Sequence, residues 1–234
     1  VSPYGPTFKE TAAPKQFIKM NRPTDADVDG MSTVYQASWK GPATFNWAGP
    51  NHGYIARVRP KGYTPKPLPD FEKMKNKELV NALKSPSHIR TLAAQRAILR
   101  REMNFELKKA LVDFIPNRKE PLTARIAALF ALTLHSPESG ALIALVNPGT
   151  ELQIQPYVIR ANSEVTHPAS LDLLLDEITK ALAKSSPRAT IEAIFALTKL
   201  TGEQDSPKAA NAIAQHLASP DPVIRHTAYR ALAK

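Results

Sequence analysis

Two hydrophobic rhythms divide this chain of 234 residues. Up to residue 63 the apolar positions fall in short runs with strand character, at 16–20, 33–39 and 54–59, parted by the turn dipeptides Asp29-Gly30, Gly41-Pro42 and Gly49-Pro50. Six of the nine glycines, both tryptophans and four of the six tyrosines sit in this part, which suits tight turns between half-buried strands. Residues 1–63 are therefore expected to form a small antiparallel β unit. Pro60, Pro65, Pro67 and Pro69 follow; proline lacks an amide hydrogen and fixes φ, so residues 64–75 read as an extended linker. From Asn76 the apolar period changes to about 3.6, the helical value, and holds over 76–234.

The helical part repeats itself. Ala128-Leu-Phe-Ala-Leu-Thr133 and Ala193-Ile-Phe-Ala-Leu-Thr198 are near copies, Ala228-Tyr-Arg-Ala-Leu232 is looser, and Ala94-Gln-Arg-Ala-Ile98 keeps the Ala-x-x-Ala-aliphatic skeleton. The leading alanines stand 34, 65 and 35 residues apart, so one unit the length of a helical hairpin recurs. Five hairpins are predicted, at 77–101, 105–136, 138–162, 169–201 and 206–233, the third interrupted by Asn147-Pro-Gly149 and Pro156. Ser85-Pro86, Ser136-Pro137, Ser186-Pro187, Ser206-Pro207 and Ser219-Pro220 each put a capping hydroxyl ahead of a proline suited to the first helical position.

Two short helices cannot cover their own apolar stripe, so stacked neighbours must do it. The expected fold is mainly α: an α-solenoid of about five hairpins over 76–234, with the small antiparallel β segment before it. Two or three strands rarely stand alone, so the β unit is expected against the first hairpin, anchored by Trp39 or Trp47. Repeats of this kind serve as binding surfaces, which points the helical part towards holding a partner rather than towards chemistry.

A hydrophobic content of 43% is enough for a sizeable core. No apolar run approaches the roughly 18 residues needed to span a bilayer, so no transmembrane segment is expected. Val1-Ser-Pro-Tyr-Gly-Pro6 has no signal-peptide pattern and no initiator Met, and reads as the start of a mature or excised segment. The absence of cysteine removes disulfides, thiolate catalysis, zinc-thiolate sites and covalent c-type haem from this segment. A net charge of +10 draws anionic partners. Its densest group, Arg96, Arg100, Arg101, Lys108 and Lys109, is diluted by Glu102 and Glu106, which reads as a solvated helix face rather than a nucleic-acid groove.

The sharpest local motif is Arg22-Pro-Thr-Asp-Ala-Asp-Val-Asp-Gly30. Asp25, Asp27, Asp29 and Gly30 match the opening of a calcium loop, in which alternate carboxylates converge on one cation and glycine permits the turn. Position twelve is Gln36, which supplies no anionic ligand, and a strand follows rather than a helix. The other reading is a strand ending in an Asp-Gly turn, with the carboxylates bonded to nearby amides. Arg90, Arg125 and Arg160 recur at intervals of 35, with Arg225 in the comparable place of the last unit. They form either a cationic ladder that meets a partner or a structural one that bonds helix-end carbonyls or an acid such as Asp221. His52, in the loop Gly49-Pro-Asn-His-Gly53, is either exposed or a base beside aromatics. Glu177 and Glu192 read as exposed helix positions, and no nucleophile elbow, phosphate loop or dinucleotide fingerprint occurs.

The motif at 22–30, followed by Val34-Tyr-Gln-Ala-Ser-Trp39 and by Trp47-Ala-Gly-Pro-Asn-His-Gly-Tyr-Ile-Ala-Arg-Val-Arg-Pro-Lys-Gly-Tyr63, resembles the closing blade of the secreted "membrane-bound dehydrogenase" proteins of planctomycetes. The join at Lys77-Glu-Leu-Val-Asn-Ala-Leu-Lys-Ser-Pro-Ser-His-Ile-Arg90 is similar to that family's passage into HEAT-type repeats. The resemblance implies a parent with a sugar-dehydrogenase-like β-propeller, HEAT repeats and often a c-type cytochrome module, in the periplasm or secreted. It implies sugar or alcohol oxidation in the propeller with haem c or pyrroloquinoline quinone, and Asp25, Asp27 and Asp29 as the residues here that could contribute to a bound calcium. One blade cannot close a ring, and Cys-x-x-Cys-His does not occur. The expected role is thus a non-catalytic HEAT scaffold that positions the propeller and a c-type cytochrome. The alternatives are a wall of an active oxidoreductase site and a basic, HEAT-like nucleic-acid-binding domain.

Overall fold

The computed structural model describes residues 2–4, 7–39, 53–135, 151–164, 171–182, 185–202 and 206–233. It is mainly helical, with a small three-stranded antiparallel sheet. Strands β1 (Ser2–Tyr4) and β2 (Thr7–Lys9) make a short ribbon. Strands β3 (Pro23–Val28), β4 (Val34–Trp39) and β5 (Gly53–Val58) make the sheet, in that order.

One strand prediction is corrected. Residues 16–20 are extended coil with Phe17 80% exposed, and the first strand of the sheet is β3, which holds Asp25 and Asp27. Every residue of β3 is exposed, so the ladder to β4 holds it in place rather than apolar burial, and hydrophobic alternation could not reveal it. Pairing shifts between Pro23 and Asp25, where proline has no amide to give.

The helices are α1 (Asn76–Ala82), α2 (His88–Arg100), α3 (Phe105–Phe114), α4 (Leu122–His135), α5 (Gln155–Ser163), α6 (Leu171–Leu182), α7 (Pro187–Thr201), α8 (Pro207–Ala214) and α9 (Pro222–Leu232). They fall where the first, second, fourth and fifth hairpins were predicted; α5 is the second helix of the third, whose first half lies outside the described residues. Packing runs in sequence order. Helix α1 touches α2 and α3, α2 touches α4, α4 touches α5, α5 touches α7, and α7 touches α9, with α6 and α8 against α7. One contiguous apolar interior extends from Phe71 to Ala228.

Three segments bury the same six positions in the same spacing. They are Ala124, Arg125, Ala128, Leu129, Ala131 and Leu132 in α4; Ile154, Gln155, Val158, Ile159, Ala161 and Asn162 at α5; and Ala189, Thr190, Ala193, Ile194, Ala196 and Leu197 in α7. Steps of one, three, one, two and one keep all six on one face of a helix of 3.6 residues per turn. Small residues in that stripe let neighbouring helices approach closely, and the large ones fill the space between them.

Capping follows the sequence in part. The Ser186 and Ser206 hydroxyls accept from the amides of Ala189 (3.3 Å) and Ala209 (3.4 Å), each with proline at the start of its helix. Elsewhere the Ser-Pro pair lies two residues early. Helix α2 begins after Ser87, and α9 after Asp221, whose carboxylate accepts from Val223 and Ile224. There Ser85 and Ser219 instead accept from the amides of Ser87 and Asp221, shaping the loop before the cap. Ser136-Pro137 lies outside the described residues.

The β unit does meet the first helical hairpin, but by its turn. Ser32 Oγ bonds Ser87 Oγ at 3.2 Å, and the Tyr63 hydroxyl donates to Met31 O at 2.8 Å. Leu68 lies so near Gly30 that a Cβ there would stand 3.2 Å from its side chain, so the turn packs closely on the linker. The positive φ of the turn falls on Ser32 (62°). Trp39 is not the anchor: it sits at the far end of β4 with the Arg22 guanidinium 5.5 Å from its ring centre. Trp47 lies outside the described residues.

Two arginines tie the linker along α2. Arg90 donates to the carbonyls of Lys66 and Pro67, and Arg101 to those of Phe71 and Glu72, both at 2.9 Å. Residues 64–75 should therefore resist proteinase K in the native chain, while the pair of changes Arg90→Ala and Arg101→Ala exposes them. Mass spectrometry of timed digests reads this, and equal cleavage rates in both proteins would show that the arginines do not hold the linker.

Candidate functional site

The three aspartates turn back on their own backbone. Asp25 and Asp27, two apart on β3, share one side of the strand. Their Oδ1 atoms accept from the next amides, Ala26 at 2.8 Å and Val28 at 2.7 Å. Asp29 closes the turn to β4: it accepts from the amides of Met31 (2.8 Å) and Thr33 (2.9 Å) and from the Tyr35 hydroxyl (3.2 Å). Gln36, at position twelve of the calcium-like motif, donates to the Asp25 carbonyl at 2.6 Å. Among the described residues no group of three His, Cys, Asp or Glu side chains comes together to hold a metal ion.

The Thr33 amide, helped by the Met31 amide and the Tyr35 hydroxyl, holds the Asp29 carboxyl below the ordinary aspartate range against a smaller push from burial. A folded value below the unfolded one means that Asp29 supports the turn above the unfolded pKa. That support is lost as pH falls through the lower folded value. Carbon-detected NMR should find Asp29 titrating below a free aspartate, with the Ser32 and Thr33 amide shifts moving alongside; an ordinary midpoint would contradict the turn geometry.

The arginine ladder is not in register. Arg125 and Arg225 stand three residues before the repeat alanines Ala128 and Ala228, whereas the residue three before Ala94 is Thr91 and that three before Ala193 is Thr190. Position by position, these residues serve the loop inside their own hairpin. Thr91 donates to Ser85 O at 3.1 Å, Arg125 Nε to Ile115 O at 2.7 Å, and Arg225 to Ser219 O at 2.6 Å, while Thr190 bonds Ser185 Oγ at 2.9 Å. Arg125 is 3% exposed and also reaches Glu151 at 2.9 Å. Asp221 caps α9 and does not receive Arg225. Arg90, one residue out of step, serves the linker, and Arg160 is exposed on α5.

A cluster that sequence reasoning missed joins the N-terminal ribbon to α5 and α7. The Arg188 guanidinium lies 4.8 Å from the Tyr157 ring centre and 5.6 Å from that of Phe8, so a strand of the N-terminal ribbon meets the α5–α7 pair. Glu192, one turn along from Arg188, is half-buried rather than exposed. Burial pushes its carboxyl up, while Arg160 and Arg188 pull it down. Glu177 is also only partly exposed and pairs with Lys180 at 2.6 Å. Nothing local marks Phe8 as a partner of Arg188; only a basic residue at the start of α7 was visible.

A concave feature lies between α2 and α4. This groove, of about 370 Å³, is lined by His88, Leu92, Gln95, Thr123, Ile126 and Phe130 among others. His52 and its loop lie outside the described residues. Comparison of the chain with family models, with curated proteins and with solved structures finds no match. Among the described residues no helix is long and apolar enough to cross a membrane.

Proposed function

We propose that residues 76–234 form a HEAT-like α-solenoid acting as a non-catalytic scaffold of a periplasmic or secreted dehydrogenase-like protein. Its task is to hold a propeller domain and a c-type cytochrome at a set separation. The observation that supports this reading is the six-position buried stripe shared by α4, 154–162 and α7, each helix resting on the next. Stacked units that share one interior resist bending, so such a spacer would keep two held domains at a fixed distance. The arginines and carboxylates weighed as candidate site residues are mostly engaged with backbone or with each other, which favours a structural use.

The test is a calorimetric titration of this chain with a c-type cytochrome from the same source. Saturable binding that weakens with salt is expected, given the +10 charge. No binding of the cytochrome, or tight binding of duplex DNA with a steep log-salt slope instead, would overturn the proposal.

A further inference from the structure

The groove between α2 and α4 is the counterpart, two units back, of the surface where the chain's own Phe8 lies over Arg188. Thr123 stands immediately before the first buried residue of the α4 stripe, as Arg188 stands immediately before that of α7. Ala127 and Glu192 likewise share a position, the third after that residue. Where α7 carries two long charged side chains, α4 therefore carries a hydroxyl and a methyl. The volume that Arg188 and Glu192 take up on α7 is left open on α4, and its walls are Leu92, Ile126 and Phe130.

The geometry points to the α2–α4 groove as a docking site for an extended peptide that presents a bulky aromatic side chain. The occupant is argued from the chain itself. Strand β2, exposed along its length, lays Phe8 over Arg188 on the α5–α7 face with 55% of that residue still exposed, so this ridge of second helices already meets an extended segment through one ring. On α4 the ring would enter further, because no guanidinium lies across the opening. Exposed His88 and Thr123, which have no hydrogen-bond partner among the described residues, stand at the rim to meet the peptide backbone. A groove of this size falls within the usual range of roughly 300–1,000 Å³ for a specific site.

This deepens the scaffold reading, on which it rests, by naming where and how a partner is held. The test uses the full chain and a fluorescein-labelled peptide of residues 2–10, followed by fluorescence polarisation. Saturable binding is expected, weakened at least about tenfold when the peptide's Phe8 becomes Ala. Transplanting α7's residues, Thr123→Arg with Ala127→Glu, should weaken it by about the same factor, and Thr123→Arg alone, at an exposed position, serves if the double variant unfolds. Arg188→Ala should change it less than about twofold. No saturable binding up to about 1 mM peptide would overturn the assignment. So would binding that survives the α4 changes and is lost with Arg188→Ala, which would mean exchange with the chain's own ribbon. Peptide binding is read without any cytochrome, so its failure and a failed cytochrome titration are separate results.

Discussion

Replacing Arg125 with alanine should destabilise the helical domain by about 2–3 kcal/mol, while Arg90→Ala should cost about 1 kcal/mol or less. Both arginines belong to the same sequence ladder, and the difference lies in what each leaves behind. Arg125 is 3% exposed, and its loss strands the Ile115 carbonyl and takes a partner from Glu151 in the seam between α3, α4 and the start of α5. Water reaches Glu151 in part, since its side chain keeps 24% of its surface, and this moderates the penalty. The carbonyls that Arg90 serves belong to an exposed linker and can turn to solvent. Urea unfolding followed by circular dichroism measures both. Equal losses would mean that Arg125 is not enclosed as described.

The second large effect is a contrast within one helix. Leu129→Ala should cost about 3 kcal/mol, because the side chain is 0% exposed and its removal leaves a cavity between packed helices. Leu134→Ala, the same change five residues on, should cost less than about 0.5 kcal/mol, since that leucine is 63% exposed. The paired variants share chain length, composition and helix propensity. Denaturation midpoints at equal m-values therefore compare burial alone, and a large loss at Leu134 would reverse the inward face of α4.

Periodicity made most of the helical part legible. The Ala-x-x-Ala-aliphatic copies landed on buried faces: Ala94, Ala128, Ala193 and Ala228 are all at 0% exposure. Ser186-Pro187 and Ser206-Pro207 marked true helix starts because cap and first turn are neighbours in the chain. The same signal misplaced two starts, since at Ser85 and Ser219 the helix begins after a residue two positions on: Asp221, which caps with its carboxylate, and Ser87, which makes no side-chain cap bond. An interval of 35 suggested that Arg90 was equivalent to Arg125, but the repeat is one residue shorter between those units, and burial rather than spacing restored Thr91 to that place. In the β part, alternation favoured 16–20, where Phe17 stays 80% exposed, and overlooked β3, which is held by its ladder to β4 rather than by apolar burial.

By itself the order of residues determined which side of each helix turns inward, because that depends on neighbours three and four positions away along one helix. It also determined that short units must lean on one another, since none has enough apolar surface to close alone. Packing alone decided that Phe8 meets Arg188, 180 residues further on, and that the turn at Ser32 rather than Trp39 touches the start of α2. Such meetings depend on the angle at which successive hairpins stack and on the path of the chain between them. No local pattern of side chains encodes either quantity, so the groove on α4 and the Arg188 contacts at the matching place on α7 became visible only with the helices side by side.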